Sequence, residues 1–550
     1  MTFNPSSTIF LCKMPIDSTY QHEIYFASKT EQQEYFAKKV VKTFSDYLTV
    51  RTTRPDGSFQ SSVKVNANIE TLRSAGVNYM YYQNANHGTR FFYAFITKMI
   101  YINEGTTQLV FETDVYQTWL FDVTILKSYV VREHSATDEI GDNLVPEKFA
   151  FQDYTFSLAY NDDTLDEWGY LVGTTENDLN DTSLWEEIFG GTDKPVVSGK
   201  QMSGIYQGVF FYYFESEKRM NDFLNEVVEK NGDCIMFIAV VPRFSVSENV
   251  IGATETDKAN GEGWLFSSSG PAQTRISFDF DDASKTFGGY TPKNNKLYTS
   301  PFFNLIVTNH NGQEAVYNVE DFTNLNNIAF DMFGDVSANP SVMLVPRNYK
   351  GITLNYDSGI TISGFPQASF NTDTFKLWLA KNQYGVALSA IGDIGQIVGG
   401  IATGVATGGV GAAIGAGQVA SGAQGILSTI NNVYQASREP NKATAGSSRN
   451  NLITSMGANR FDFYYRKIKR DYAETVDNFF TMYGYQVNKM KVPNVAARPY
   501  FNYVQTVDIN IVGGIPADDM ATLKQIYNKG ITLWKTKVDV GNYGVDNRPV

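Results

Sequence analysis

Arg90-Phe-Phe-Tyr-Ala-Phe-Ile-Thr-Lys-Met-Ile-Tyr-Ile-Asn-Glu-Gly-Thr-Thr-Gln-Leu-Val-Phe111 is the stretch on which the fold reading turns. Aromatic and β-branched residues crowd both arms, and Asn103-Glu-Gly105 between them is turn chemistry. A strand over Arg90 to Ile102 therefore turns directly into a second over Thr106 to Phe111. Upstream, Val77 to Gln83 pairs with the first arm as a hairpin across Asn86-His-Gly88. Downstream, a short helix is predicted over Asp114 to Phe121, then a strand over Thr124 to Arg132.

The same grammar extends to both ends. Ser28-Lys-Thr-Glu31 is a capping box opening a helix that runs to about Val40. Phe44 to Val50 and Phe59 to Val65 read as strands flanking an Arg54-Pro-Asp-Gly57 turn. Ile205 to Phe214 and Cys234 to Val241 are strands around a helix, Ser216 to Lys230. Near the C-terminus come strand Arg460 to Lys469, helix Asp471 to Met482 ended by Gly484, strand Phe501 to Val512, helix Ala517 to Asn528 and strand Ile531 to Thr536. The expected class is α+β and strand-rich, with barrel or sandwich domains and short helices. Five regions are expected: an N-terminal β domain over 1–135, an inserted outer module over 136–345, a strand-rich connector over 346–383, a hydrophobic loop over 384–437, and an α+β segment over 438–550 that packs with the N-terminal domain.

The loop stands apart. Between Lys381 and Arg438 the one formal charge is Asp393, in a run built mostly of Gly, Ala, Ile, Val, Ser and Thr. On a helix, Tyr384, Ala387, Ile391, Ile394, Val398, Ile401 and Val405 form an apolar stripe. Ser389, Asp393, Gln396, Thr403 and Thr407 form a polar stripe roughly opposite it. Gly385, Gly392 and Gly399, with Gly400, Gly404 and Gly408, fill the flank, where small residues let helices approach closely in lipid. Gly408-Gly-Val-Gly411 breaks the run, and Ile414, Gly415, Ile426 and Ile430 belong to a second arm. Each arm has about 24 residues, about 36 Å of helix, against about 30 Å of hydrocarbon. Each glycine costs a helix about 1 kcal/mol relative to alanine in water. The loop is therefore expected to be a helical hairpin that is membrane-active rather than a plain flexible hairpin shielded in an assembly.

Composition narrows the function. Forty-five basic against 58 acidic residues give a net charge of −13. That balance argues against a protein that grips nucleic acid and leaves open one past which DNA slides. Cys12 and Cys234 cannot build a disulfide framework, and the Met1 end lacks the pattern of a secretory signal, so assembly in a reducing cytoplasm is expected. His22, His87, His134 and His310 fall in no metal-ligand spacing and are read as turn or surface residues. The acidic groups Asp162-Asp163-Thr-Leu-Asp166-Glu167 and Asp279-Phe-Asp281-Asp282 are read as solvated turns. Gly409-Val-Gly-Ala-Ala-Ile-Gly415 lacks the preceding strand and following acid of a dinucleotide site. No catalytic residue, cofactor or metal is predicted.

Several motifs carry a resemblance. Gln83-Asn-Ala, Phe92-Tyr-Ala-Phe-Ile-Thr97, Phe111-Glu-Thr-Asp-Val-Tyr-Gln-Thr-Trp-Leu-Phe-Asp122 and Val131-Arg-Glu-His134 resemble the tail knob proteins of small short-tailed phages of Gram-positive bacteria. So do Phe501-Asn-Tyr-Val-Gln-Thr506, Gly530-Ile-Thr-Leu-Trp534 and Gly541-Asn-Tyr543. The middle, about 140–345, matches little beyond Gly288-Gly-Tyr-Thr291. The resemblance implies a non-enzymatic virion protein forming a homohexameric distal tail tube. It also implies partners: the upper tail tube, a separate tail-tip wall hydrolase, the host cytoplasmic membrane, and viral DNA passing the lumen without specific binding. The hydrophobic loops would plug the tube and then form a membrane channel for genome ejection. The competing reading is an adsorption protein whose middle module binds a wall glycan through aromatics such as Tyr206 to Phe214; a wall hydrolase using the acidic clusters is a third.

Overall fold

The computed structural model describes residues 7–149, 153–174, 210–245, 264–363, 365, 367–369, 444–445 and 460–549, with short breaks at 48–49, 54–58, 85–87, 163–164, 166, 215–219, 221–222, 225–234, 267–271, 311 and 336–339. The described chain packs as two compact units, Met1–Asp153 with Phe287–Thr299 and Ile468–Val550, and Tyr154–Thr286 with Ser300–Lys467.

The first unit starts from the strands read above. Phe92–Asn103 and Thr106–Thr113 pair antiparallel inside a seven-stranded sheet, with Tyr79–Asn84, Ser7–Cys12 and Val40–Tyr47 on one side and Phe59–Val65 and Val50–Thr53 on the other. Period-two alternation sends Met80, Ala94, Leu109 and Phe111 to one face, where they pack with Ile9, Leu11, Val63 and Val65. Tyr79, Tyr81, Tyr93 and Phe95 point to the other face, with Ile24 and Phe26. Helix α1 (Lys29–Lys38) covers them, and its Phe36 ring lies 4.6 Å from Tyr93 and 5.6 Å from Tyr79. The helix begins as predicted: the Ser28 hydroxyl accepts from the Glu31 amide, and the Glu31 carboxylate accepts from the Ala27 amide at 2.9 Å. A short helix α2 (Ile69–Ser74), capped by Asn68, was not anticipated.

A five-stranded sheet combines distant segments: Glu23–Ile24, Ile531–Trp534, Phe501–Val507, Ser128–Glu133 and Tyr485–Lys491. Helices α3 (Val115–Trp119) and α5 (Ala517–Lys529) bury one face of it against Val504, Ile531 and Leu533. The Trp119 indole donates to Asp519 at 3.0 Å. Helix α4 (Arg470–Tyr483) ends at Gly484, as the sequence indicates.

Two predicted strands are each divided. Thr124 to Arg132 separates into Val123–Ile125, which pairs with Ile511–Gly513, and Ser128–Glu133, which joins the larger sheet. Phe501 to Val512 breaks at Asp508, whose φ is +49°. Each break lets one continuous apolar run serve two sheets.

The second unit holds three sheets. Four strands run Tyr154–Asn161, Asp462–Ile468, Phe303–Thr308, Glu314–Tyr317. A second sheet is built on Ala272–Phe278, Ile328–Asp335 and Ser341–Tyr349, with Ile352–Leu354 and Ile360–Ser363 both on the last. Phe278, Phe330 and Phe463 tie these two together, with Phe463 5.4 Å from Phe278 and 5.2 Å from Phe330. The third, six-stranded, runs Trp264–Phe266, Phe210–Phe214, Trp168–Thr174, Ile235–Pro242, Gln367–Ser369, Thr444–Ala445. Helix Ser216 to Lys230 and the loop Ala253 to Glu262 fall wholly or largely outside the described residues.

Candidate functional site

The expected membrane-active residues, from Ser389 to Ile430, lie outside the described residues, as do Asp393 and its polar stripe. The structure does describe their root. Gln367–Ser369 pairs with Ile235–Pro242, and Thr444–Ala445 pairs with Gln367–Ser369 through Ala368 to Ala445 and Ser369 to Thr444. The chain thus leaves and returns on neighbouring antiparallel strands, about 5 Å apart, at one edge of the six-stranded sheet. Residues 370–443, between those two strands in sequence, lie outside the described residues. Among the described residues no helix is long and apolar enough to cross a membrane.

The residues that carried the resemblance meet in the first unit. Arg132, Glu133 and His134 each fasten a different segment. The Arg132 guanidinium donates to the Gly484 carbonyl at 2.7 Å and pairs with Glu147, which also receives Lys296 at 3.0 Å and the Gln486 amide at 2.9 Å. Glu133 pairs with Lys491 and accepts from the Asn494 amide at 2.8 Å. His134 is not the turn or surface residue expected. It is buried, with Nδ1 accepting from the Tyr503 amide at 2.7 Å and Nε2 3.0 Å from the Thr481 carbonyl. One nitrogen accepts and the other donates, so the ring is neutral. Burial, reinforced by Arg498, pushes its pKa down to about 3. Its contribution to stability is full above the unfolded histidine value of about 6.5 and is lost as pH falls toward 3. In a scan of unfolding temperature against pH, wild type therefore drops below about pH 6.5 more steeply than His134→Gln.

Other motifs serve the same joint. The Asp477 carboxylate, fully buried on α4, accepts from Tyr290 Oη at 2.5 Å, the Lys293 amide at 2.9 Å, the Asn294 amide at 3.0 Å and Asn294 Nδ2 at 2.8 Å. This docks the Gly288-Gly-Tyr-Thr291 segment, turned by Gly288 and Gly289 at φ +56° and +85°. The Trp534 ring lies tilted 4.5 Å from Phe501, and Tyr543 meets both edge-on at 5.3 and 5.0 Å. Arg498, buried, donates to the Ser135 carbonyl at 2.5 Å and to the Asn547 carbonyl at 3.1 Å, tying down the C-terminal segment.

This is chemistry for bearing load. Most of these hydrogen bonds join segments far apart in sequence. Among the described residues no group of His, Cys, Asp or Glu has a metal-ligating arrangement. Asp281 caps an exposed turn, accepting from the Ser284 amide at 2.8 Å. Tyr212, Tyr213 and Phe214, from the Tyr206 to Phe214 run that only the competing reading would use for sugar stacking, are fully buried core of the six-stranded sheet. Asp163 and Asp166 lie outside the described residues.

The described sheets, almost all antiparallel and fastened by buried polar joints, make a structural framework rather than a reaction centre. Residues 4–124 match the family profile of the caudoviral major tail protein N-terminus. Residues 270–548, just over half of the chain, match that of the Bacillus phage phi29 tail knob protein gp9 C-terminal domain, and the chain belongs to that family. It is similar to the tail knob proteins gp9 of Bacillus phage phi29 (26% identical, over 98% of this chain and 97% of that one) and of Bacillus phage B103 (23% identical, over 97% of each). Its fold resembles that of the bacteriophage C1 tail knob protein gp12, with a TM-score of 0.64 at 16% identity over 98% of this chain and 99% of that one. The chain is a tail knob protein, a structural component of the virion tail.

Proposed function

We propose that copies of this chain close into a ring, of six as the resemblance to the tail knob family implies, which forms the distal tube of the tail. Segment 384–437 plugs that tube and then opens a channel in the host cytoplasmic membrane through which the genome passes. The observation that carries the reading is the root of the insertion. A long apolar segment, entering and leaving on paired strands at a sheet edge, can swing out without unthreading the fold behind it.

Closed rings need two different, complementary surfaces on each copy. The first unit offers Met490, Tyr129 and Val507, aligned across three neighbouring strands and 63, 40 and 56% exposed. The second unit offers Phe156 and Leu158, alternate residues of an edge strand with both side chains exposed. Apolar rows of this kind on a polar, acidic chain suit contact with neighbouring copies. The upper tail tube and a separate wall hydrolase are the expected neighbours in the virion, and DNA moves through an acidic lumen that does not hold it.

Dye release from liposomes tests the channel. Full-length protein, triggered to release its loops, leaks dye, and a version lacking Gly385–Gln435 does not. Equal leakage from both, or none from either, removes the channel while leaving the tube standing. Asp393→Leu is expected to preserve assembly and change the conductance of the pore; an unchanged pore places Asp393 away from its lumen.

A further inference from the structure

The joint between the seven-stranded and five-stranded sheets of the first unit contains two buried carboxyl groups that, among the described residues, pair with no lysine or arginine. Glu23 lies on the two-residue strand that pairs with Ile531–Trp534, and Asp114 is the N-cap of α3. Both side chains are fully buried. Their surroundings are unequal. Asp114 Oδ2 accepts from Tyr79 Oη at 2.7 Å and Oδ1 from the Gln117 amide at 3.0 Å, with the Tyr20 hydroxyl alongside, itself accepting from the Val115 amide at 3.2 Å. Glu23 Oε1 accepts from Gln117 Nε2 at 2.6 Å and the Ile24 amide at 2.9 Å, while Oε2 is buried with no hydrogen-bond partner. Gln117 cannot turn away, because Gln32 of α1 donates to its Oε1 at 2.8 Å.

The other ionisable groups that bear on the pair are acids or phenols: Asp17 and Tyr20 before the strand, Tyr25 after it, Tyr79, Glu112, and Tyr116 on α3. Among the described residues neither carboxyl has a lysine or arginine within ion-pair distance. A buried carboxylate oxygen with no hydrogen-bond or ion-pair partner carries a heavy desolvation penalty, and a second negative charge nearby adds to it.

We infer that this joint holds one proton for two carboxyl groups, with Asp114 ionised by its donors and Glu23 neutral, and that it loosens when rising pH removes the proton. The pair acts as a pH-sensitive latch between the two sheets. Burial raises both groups, and the repulsion between them raises Glu23 further. Raised carboxyls stabilise the fold fully below the unfolded value of about 4 and lose that contribution as pH climbs through the folded value. The direction is opposite to that of His134, which destabilises on the acid side.

The test compares full-length wild type with Glu23→Gln, so that His134 and every other shared titration cancels. The variant is expected to unfold at the same temperature as wild type near about pH 5 and about 3 °C higher near about pH 8.5. An offset that is the same at both pH values, or a wild type more stable than the variant at the higher pH, overturns the inference. If the variant does not accumulate, isotope-edited infrared spectroscopy decides. The protein carries labelled glutamate in a Glu320→Gln background, which removes another glutamate raised by burial. A glutamic-acid carbonyl band present at neutral pH and lost at alkaline pH supports the latch; its absence at neutral pH overturns it.

Discussion

Gly484→Ala is expected to prevent the first unit from folding, or to leave it about 4 kcal/mol or more less stable. Gly484 ends α4 at φ +65° and ψ −154°, a region open almost only to glycine. A Cβ built there would lie 2.2 Å from the Glu133 carbonyl oxygen, 2.4 Å from its carbon and 2.6 Å from the His134 nitrogen. Those atoms are backbone in the middle strand of the joint and cannot swing aside as a side-chain tip does. The Gly484 carbonyl is also the acceptor for Arg132, so any shift that relieves the clash disturbs the Arg132–Glu147–Lys296 cluster. Gly289→Ala is the matched control: its φ is +85°, but nothing lies within 4 Å of the added methyl group. It is expected to cost about 1 kcal/mol, the backbone term alone. Soluble yield and denaturant unfolding of the two variants separate the clash from the conformation.

Asp477→Ala is the second large effect, at about 4 kcal/mol, because it leaves the buried donors of Tyr290, Lys293 and Asn294 without their acceptor. The loss is local in origin. Segment Phe287–Thr299 reaches the first unit through a break in the second unit's sequence, and Asp477 is its main polar anchor. Limited proteolysis should therefore cut within 287–299 in the variant before it cuts elsewhere, while wild type resists there. Asp477→Asn keeps the shape but replaces one acceptor oxygen with a donor, so an intermediate loss is expected. Cleavage of both variants at the wild-type rate would mean that Lys296, paired with Glu147 and lying over the Phe480 and Tyr485 rings, rather than the Asp477 carboxylate, holds the segment.

The strand-rich class was legible in local pattern. Phe92–Asn103, Thr106–Thr113 and the Ser28 cap declare themselves within a dozen residues, and the structure keeps them to within two residues. Where one apolar run feeds two sheets, local pattern fails. Leu126 turns the chain because its amide donates to the Asn510 carbonyl, and nothing near Leu126 in sequence announces that partner. His134 was misread for the same reason: its burial is set by Tyr503 and Thr481, both more than 340 residues away. The Val131-Arg-Glu-His134 and Gly288-Gly-Tyr-Thr291 motifs were visible as a resemblance, but their roles needed the contacts. The polar triplet Arg132-Glu133-His134 at the end of an apolar strand was the available signal, since buried charged and polar groups demand partners. Segment 384–437 stands out by composition and lies outside the described residues, and the pairing of the strands on either side of it came only from the structure.

The central claim is that the chain works as a closed tube that carries a retractable apolar insertion. Native mass measurement of the assembled full-length protein, paired with an electron-microscope image of the same sample, tests it most directly. The account predicts a six-copy ring with an open central channel wide enough for a DNA duplex. A monodisperse monomer, or a compact oligomer without a channel, would contradict it.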